Sequence, residues 1–99
     1  MMKSRIVSYG DLNIDILAQV ERLHDQGEDT MVQNFHFSPG GSAANLAAVT
    51  AGLGVPARFV GILGSDAFAD MLLKDLVDHQ VEVSAIHRVE GQNGAIIAI

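Results

Sequence analysis

The sequence of 99 residues contains no cysteine and no tryptophan, and only 5% of it is aromatic. Without cysteine, neither a disulfide framework nor a thiolate metal site is possible. Positive charge is also scarce: six Lys and Arg stand against twelve Asp and Glu, for a net charge of −6. That balance argues against a nucleic-acid or anionic-membrane partner, since both attract basic surfaces. Long apolar runs are missing too. The run after Met1-Met2-Lys3-Ser4-Arg5 is broken by Gly10, Asp11, Asn13 and Asp15, which is no signal-peptide pattern. The most apolar stretch, Ala43 to Gly64, is interrupted by Asn45, Thr50, Pro56 and Arg58, so it is no membrane span. The chain therefore reads as cytoplasmic.

What is present is a composition that is 48% hydrophobic and dominated by Ala, Val, Ile and Leu, as buried parallel strands and their helices require. Ile6 to Tyr9 reads as a short buried strand ending at Gly10, and Leu12 to Val20 as a second strand or its continuation. Arg22 to Asp29 holds a turn at Gly27-Glu28. In Met31 to Phe37, Val32 and His36 fall on one side and Met31, Phe35 and Phe37 on or near the other, so the segment and its predecessor form a small antiparallel flap. Pro39-Gly40-Gly41 reads as a turn and Ser42 as the N-cap of a buried helix to about Leu53, closed by Gly54 and Pro56. Arg58 to Leu63 is a strand, and Ser65-Asp66 caps a second helix. There Phe68, Leu72 and Leu76 face the core, while Asp70, Lys74 and Asp78 face water, with Asp70 and Lys74 a favourable i,i+4 pair. Val81 to Val89 and Ala95 to Ile99 read as strands around a turn at Gly91 to Gly94. This order is an α/β fold. The last strand is apolar on both faces and ends without a polar tail, which predicts that the natural chain continues.

Two constellations could carry chemistry. Asp11, Asn13 and Asp15 recur every second residue, so a strand places all three on one face with Leu12, Ile14 and Ile16 on the other. Two carboxylates and an amide can orient a polyhydroxylated ligand; the same pattern also describes a plain solvated strand face. A calcium loop is excluded, because its sixth and twelfth positions would be Ile16 and Arg22 instead of Gly and an acid. The second constellation is Gly40-Gly41-Ser42-Ala43-Ala44-Asn45. Glycines before a helix let a ligand approach the backbone and its free N–H groups, with Asn45 one turn in; a tight turn packed with small residues reads the same way. No phosphate-loop or dinucleotide glycine pattern is present, and no Gly-x-Ser-x-Gly elbow. His24, His36, His79 and His87 lack metal-ligand spacing, so no metal site is expected. Asp66 reads as a helix cap.

Taken in order, Gly10-Asp11-Leu12-Asn13-Ile14-Asp15, Gly27-Glu28, Gly40-Gly41-Ser42-Ala43-Ala44-Asn45, Leu53-Gly54-Val55, Phe59 to Asp66 and Asn93-Gly94-Ala95 form a collinear series. This series resembles the start of the ribokinase-like sugar and nucleoside kinase family across nearly the whole chain. The resemblance implies that residues 1–99 are the N-terminal part of a three-layer α/β kinase domain, with a β-stranded lid within about residues 11–38. It implies that Asn13 and Asp15 bind substrate hydroxyls, that Gly40 and Gly41 let the sugar approach the backbone, and that Asn45 hydrogen-bonds it. Asp11 and Ser42 are neighbours of that site. The implied reaction is transfer of the ATP γ-phosphoryl group to a sugar or nucleoside hydroxyl with Mg²⁺. It also implies a possible homodimer through the lid, at about Ile16 to Phe37. The base of such kinases lies in a glycine-flanked Asp turn that these residues lack, so no catalytic residue is expected here and the stretch alone should be inactive. Ser42 replaces the Lys typical of ribokinases proper, Ala69 a frequent glycine and Asn93 a frequent Thr, which leaves the sugar open.

Two other classes compete. One is a non-catalytic binding or oligomerisation module reusing the lid, which should end in a capped, polar segment. The other is a dinucleotide-binding domain, opposed by the missing glycine fingerprint and by the long flap before the first helix.

Overall fold

A computed structural model describes residues 5–22, 25–29 and 31–98, and among them the chain forms six strands and two helices. Strand β1 (Ile6–Tyr9) runs parallel to β4 (Ala57–Leu63), which in turn runs parallel to β5 (Ile86–Arg88). A second sheet has β2 (Asn13–Val20) at its centre, antiparallel to β3 (Val32–Gly40) on one side and parallel to β6 (Gly94–Ala98) on the other. Helix α1 (Ser42–Gly52) follows β3, and α2 (Ala69–Asp78) follows β4.

The alternation in β4 decides where the core lies. Ala57, Phe59, Gly61 and Leu63 are buried, and the first, second and fourth of them pack with Ala44 and Ala47 of α1 and Leu72 and Leu76 of α2. Ile14 of β2 joins the same cluster and ties the second sheet to it. The opposite face of the parallel sheet carries exposed Val7, Tyr9 and Ile62. The second sheet projects from this body as a lid. The radius of gyration is accordingly 16.3 Å, against roughly 13 Å for a compact domain of this length.

Helix α1 ends as its sequence predicts. Gly54 takes a φ of +87°, which a residue with a Cβ adopts only with strain, and the N–H groups of Leu53, Gly54 and Val55 satisfy the last carbonyls of the helix. Its beginning differs from expectation. Pro39 and Gly40 are not a turn but the last residues of β3, and Gly41 caps the helix, with Ser42 its first helical residue. The helix is also only partly buried: Ala44 and Ala47 are inside, while Leu46 and Val49 are more than half exposed. An all-round apolar sequence does not show which stripe meets the sheet.

Two further expectations are corrected. Val81 to Val89 contributes only the three-residue β5, and β6 does not pair with it but crosses to the lid beside β2. Ile99 lies outside the described residues, as does His24. On α2 the ion pair is Lys74 with Asp78 at 2.5 Å, not Asp70 with Lys74.

Candidate functional site

The chain leaves the parallel sheet at Gly10, whose N–H donates to the Val60 carbonyl at 3.2 Å. The carbonyl of Asp11 then accepts from the N–H of Ala44 at 3.2 Å, which stitches this crossing to the first turn of α1. Gly41 is required there twice. Its φ is +101°, and a Cβ on it would sit 2.7 Å from the carbonyl carbon of Asp11.

The two-residue period of β2 sets the face beyond this junction. Leu12 and Ile14 are buried toward the core, whereas Asn13 and Asp15 point to the other side. Asn13 pairs with Gly40 and with Gly94, and Asp15 with Ser38 and with Ile96. Gly40 leaves room for a carboxylate: a Cβ there would lie 2.6 Å from Cγ of Asp15. Asp15 Oδ1 is buried and has no hydrogen-bond partner. A buried carboxylate oxygen without a donor is costly.

A cavity of about 380 Å³ opens at the same junction, lined on one side by Gly10, Asp11 and Asn13 and on another by Gln92, Asn93 and Gly94. The second wall was not expected to belong to the site. It is held by Asp66, which is not the cap of α2 as expected: the helix begins at Ala69 with Phe68 at its N-cap, and Asp66 lies in the turn before it. Its Oδ1 accepts from the N–H of Phe68 at 3.1 Å and from the Asn93 side-chain amide at 2.6 Å, while Oδ2 accepts from the Asn93 N–H at 2.8 Å. The Asn93 backbone and then side-chain donors, with a smaller contribution from the Phe68 N–H, hold the Asp66 carboxyl below the usual carboxylate range against the opposing effect of burial. The contact with the Phe68 N–H is a local Asx turn. The link to Asn93, 27 residues on, carried no sequence signal.

The structure thus gathers Asp11, Asn13, Asp15, Gly40 and Gly41 at one junction. Of the predicted residues only Asp11 and Asn13 line the cavity; Asp15, Gly40 and Gly41 lie beside it, and Ser42 and Asn45 lie exposed on the adjacent first turn of α1. Among the described residues no group of three His, Asp or Glu is placed to hold a metal ion. The cavity lining includes no Lys or Arg, and Asp11 would repel phosphates. These residues therefore do not fit the triphosphate of ATP or its Mg²⁺.

A three-stranded lid rising from a parallel sheet, with a polar junction between them, is the layout of the ribokinase-like fold. The structure superposes on Arabidopsis thaliana ribokinase complexed with ribose and ATP with a TM-score of 0.84 and 31% identity, over 97% of this chain and 32% of that one. Fructokinase from Xylella fastidiosa matches with a TM-score of 0.71 and 37% identity, over 88% of this chain and 26% of that one. In sequence, the ATP-dependent ribose-1-phosphate kinase of Halopiger xanaduensis is 34% identical over 93% of this chain and 31% of its own length. The profile of the pfkB family carbohydrate kinases matches residues 3–99. The chain belongs to that family, and it spans about a third or less of the length of these relatives.

Proposed function

We propose that the full-length protein is an ATP-dependent sugar kinase that phosphorylates a hydroxyl of a sugar or nucleoside, and that these residues supply part of its substrate site. The observation that carries this reading is Asp15 Oδ1, buried without a donor beside the open backbone of Gly40. A ligand hydroxyl is the neutral donor that such an atom can accept from without importing a second charge. Asn13 offers both a donor and an acceptor beside it, and Asn45 a further amide on the first turn of α1. Gly40 and Gly41 leave the backbone open to a close ligand, and Asp11 and Ser42 flank the site. The names of the relatives agree, being kinases of ribose, ribose-1-phosphate and fructose.

ATP with Mg²⁺ supplies the phosphoryl group when bound, and in this reading both are held by parts of the kinase outside these 99 residues, together with the base. What these residues do is bind and orient the acceptor, which is where much of the rate advantage of a positioned hydroxyl arises. The acidic balance supports a cytoplasmic protein with no nucleic-acid or membrane partner. No described helix is long and apolar enough to cross a membrane. The exposed Met31, Phe35 and Ile97 of the lid favour a homodimer through it; the same residues would serve a non-catalytic oligomerisation module, the competing reading.

The test is a panel of sugars and nucleosides assayed with the full-length protein and ATP. Saturable phosphorylation of one of them is expected, and Asp15→Ala should lose it by about a hundredfold or more with little change in melting temperature. Phosphorylation of no acceptor would favour the oligomerisation module, and unchanged turnover in Asp15→Ala would remove Asp15 from the site.

A further inference from the structure

Between β5 and β6 the chain has no regular structure, yet it is stitched to the β4–α2 turn at two places. The Ser65 N–H donates to the Gly91 carbonyl at 2.8 Å, and Ser65 Oγ accepts from the Gly91 N–H at 3.0 Å. Two residues on, Asn93 both donates to Asp66 and, through its Oδ1, accepts from the Gly64 N–H at 2.7 Å. The next residue, Gly94, starts β6 opposite Asn13, where a Cβ would lie 3.2 Å from the Asn13 Cγ. Where Asn93 is held thus sets where the cavity wall meets Asn13. The same turn reaches the opposite edge of the lid, because the ring of Phe68 stacks on Phe37 of β3 at 5.8 Å.

We propose that Asp66 is a positioning residue for the acceptor site: paired with Asn93, it fixes the 91–94 wall against the body and so sets the spacing between Gly94 and Asn13. This rests on the sugar-kinase reading above. The chemistry of both residues is specific. Three donors converge on Asp66, so a carboxylate satisfies them all, whereas an amide would turn an N–H₂ against one of them. Asn93 must donate and accept with one side chain, which an aspartate cannot do. Neither residue needs to touch the reacting atoms.

Kinetics of the full-length protein test this with Asp66→Asn, Asn93→Ala and the double variant. Asn93→Ala leaves the Asp66 contacts to the Asn93 and Phe68 N–H groups in place, so it serves if the first variant folds poorly. Each single variant should raise KM for the sugar by about tenfold, with KM for ATP changed by less than about twofold. The double variant should be no worse than the more impaired single, because the Asp66–Asn93 side-chain link is already lost in each. Amide exchange at Gly64 and Asn93 should quicken in Asp66→Asn, while the midpoint of global unfolding stays within a few degrees. Sugar KM at the wild-type value, or effects of the two variants that simply add, would overturn the positioning role while the kinase reading stands. A wild-type protein that phosphorylates no sugar or nucleoside would overturn the kinase reading and this role with it.

Discussion

The carboxylate of Asp15 lies against the backbone of Gly40 across the β2–β3 pair, leaving 2.6 Å between its Cγ and the point where a Cβ would stand. The first prediction follows from that contact. Gly40→Ala must push the carboxylate away, and Oδ1 has no partner that would hold it in place. Overpacking of this kind costs about 1–3 kcal/mol of stability. In the full-length protein KM for the sugar should rise by about tenfold or more, a larger effect than the unfolding midpoint reports. Steady-state kinetics beside chemical denaturation would check it, and wild-type kinetics in Gly40→Ala would show that this approach has no part in binding.

Besides Ile14 in the core, the lid meets the body through an aromatic contact, Phe37 with Phe68, with Phe35 stacked behind Phe37 at 6.1 Å. Such a pair contributes about 0.5–1.5 kcal/mol beyond the area it buries. A double-mutant cycle of Phe37→Leu and Phe68→Leu, read by denaturation, should return a coupling energy in that range. A coupling near zero would mean that the lid is held by its strand connections and by the packing of Ile14 in the core, without help from this ring pair.

Phe59 is fully buried between the two helices and the sheet. Truncation to alanine should cost about 3–5 kcal/mol, a large share of the roughly 5–15 kcal/mol available to a domain. Urea denaturation is the measurement. A loss below about 1 kcal/mol would mean that the core collapses around the gap, contrary to the close packing usual in protein interiors.

Two carboxyls make stability depend on acidity. Asp66 is held low chiefly by the Asn93 N–H and side-chain amide, and Glu82 by its hydrogen bond from Arg58 at 2.5 Å and then by Ser84. A carboxyl whose folded pKa is depressed binds its proton more readily when unfolded. Its contribution is therefore complete above its unfolded pKa and is lost as pH falls through the folded one. The melting temperature should drop as pH goes from about 5 to about 3, and added salt should weaken the part due to the partly exposed Glu82. Glu82→Gln combined with Asp66→Asn should flatten that slope. An equally steep slope in the double variant would assign the acid sensitivity to other groups.

Much of this was legible in the residues. The period of two over Leu12 to Ile16 placed Asn13 and Asp15 together because a strand alternates its faces whatever it pairs with. Gly54 and Pro56 stopped α1 for local backbone reasons. The candidate site was legible in part: the ordered series of motifs named Asp15 and the glycine pair, which the structure brings together, but not the Asp66–Asn93 link. The start of α1 was misread at Ser42: Gly41 takes a φ of +101° beside the Asp11 backbone, and that approach comes from a distant part of the chain.

By itself, then, the sequence determined the faces of the strands, the C-terminal stop of α1 and the identity of the polar groups, since each follows from neighbours a few residues apart. The tertiary structure decided which strand lies beside which. Backbone hydrogen bonds are alike at every residue, so nothing in Ala95-Ile96-Ile97 states that β6 belongs beside β2 and not beside β5. That choice brings Gly94 to Asn13 and sets Asn93 on Asp66, completing a cavity that no local pattern contains. It also leaves Asp15 Oδ1 enclosed without a donor, and that enclosure, more than the spacing of Asp11, Asn13 and Asp15, is what supports the proposal that this strand face binds substrate.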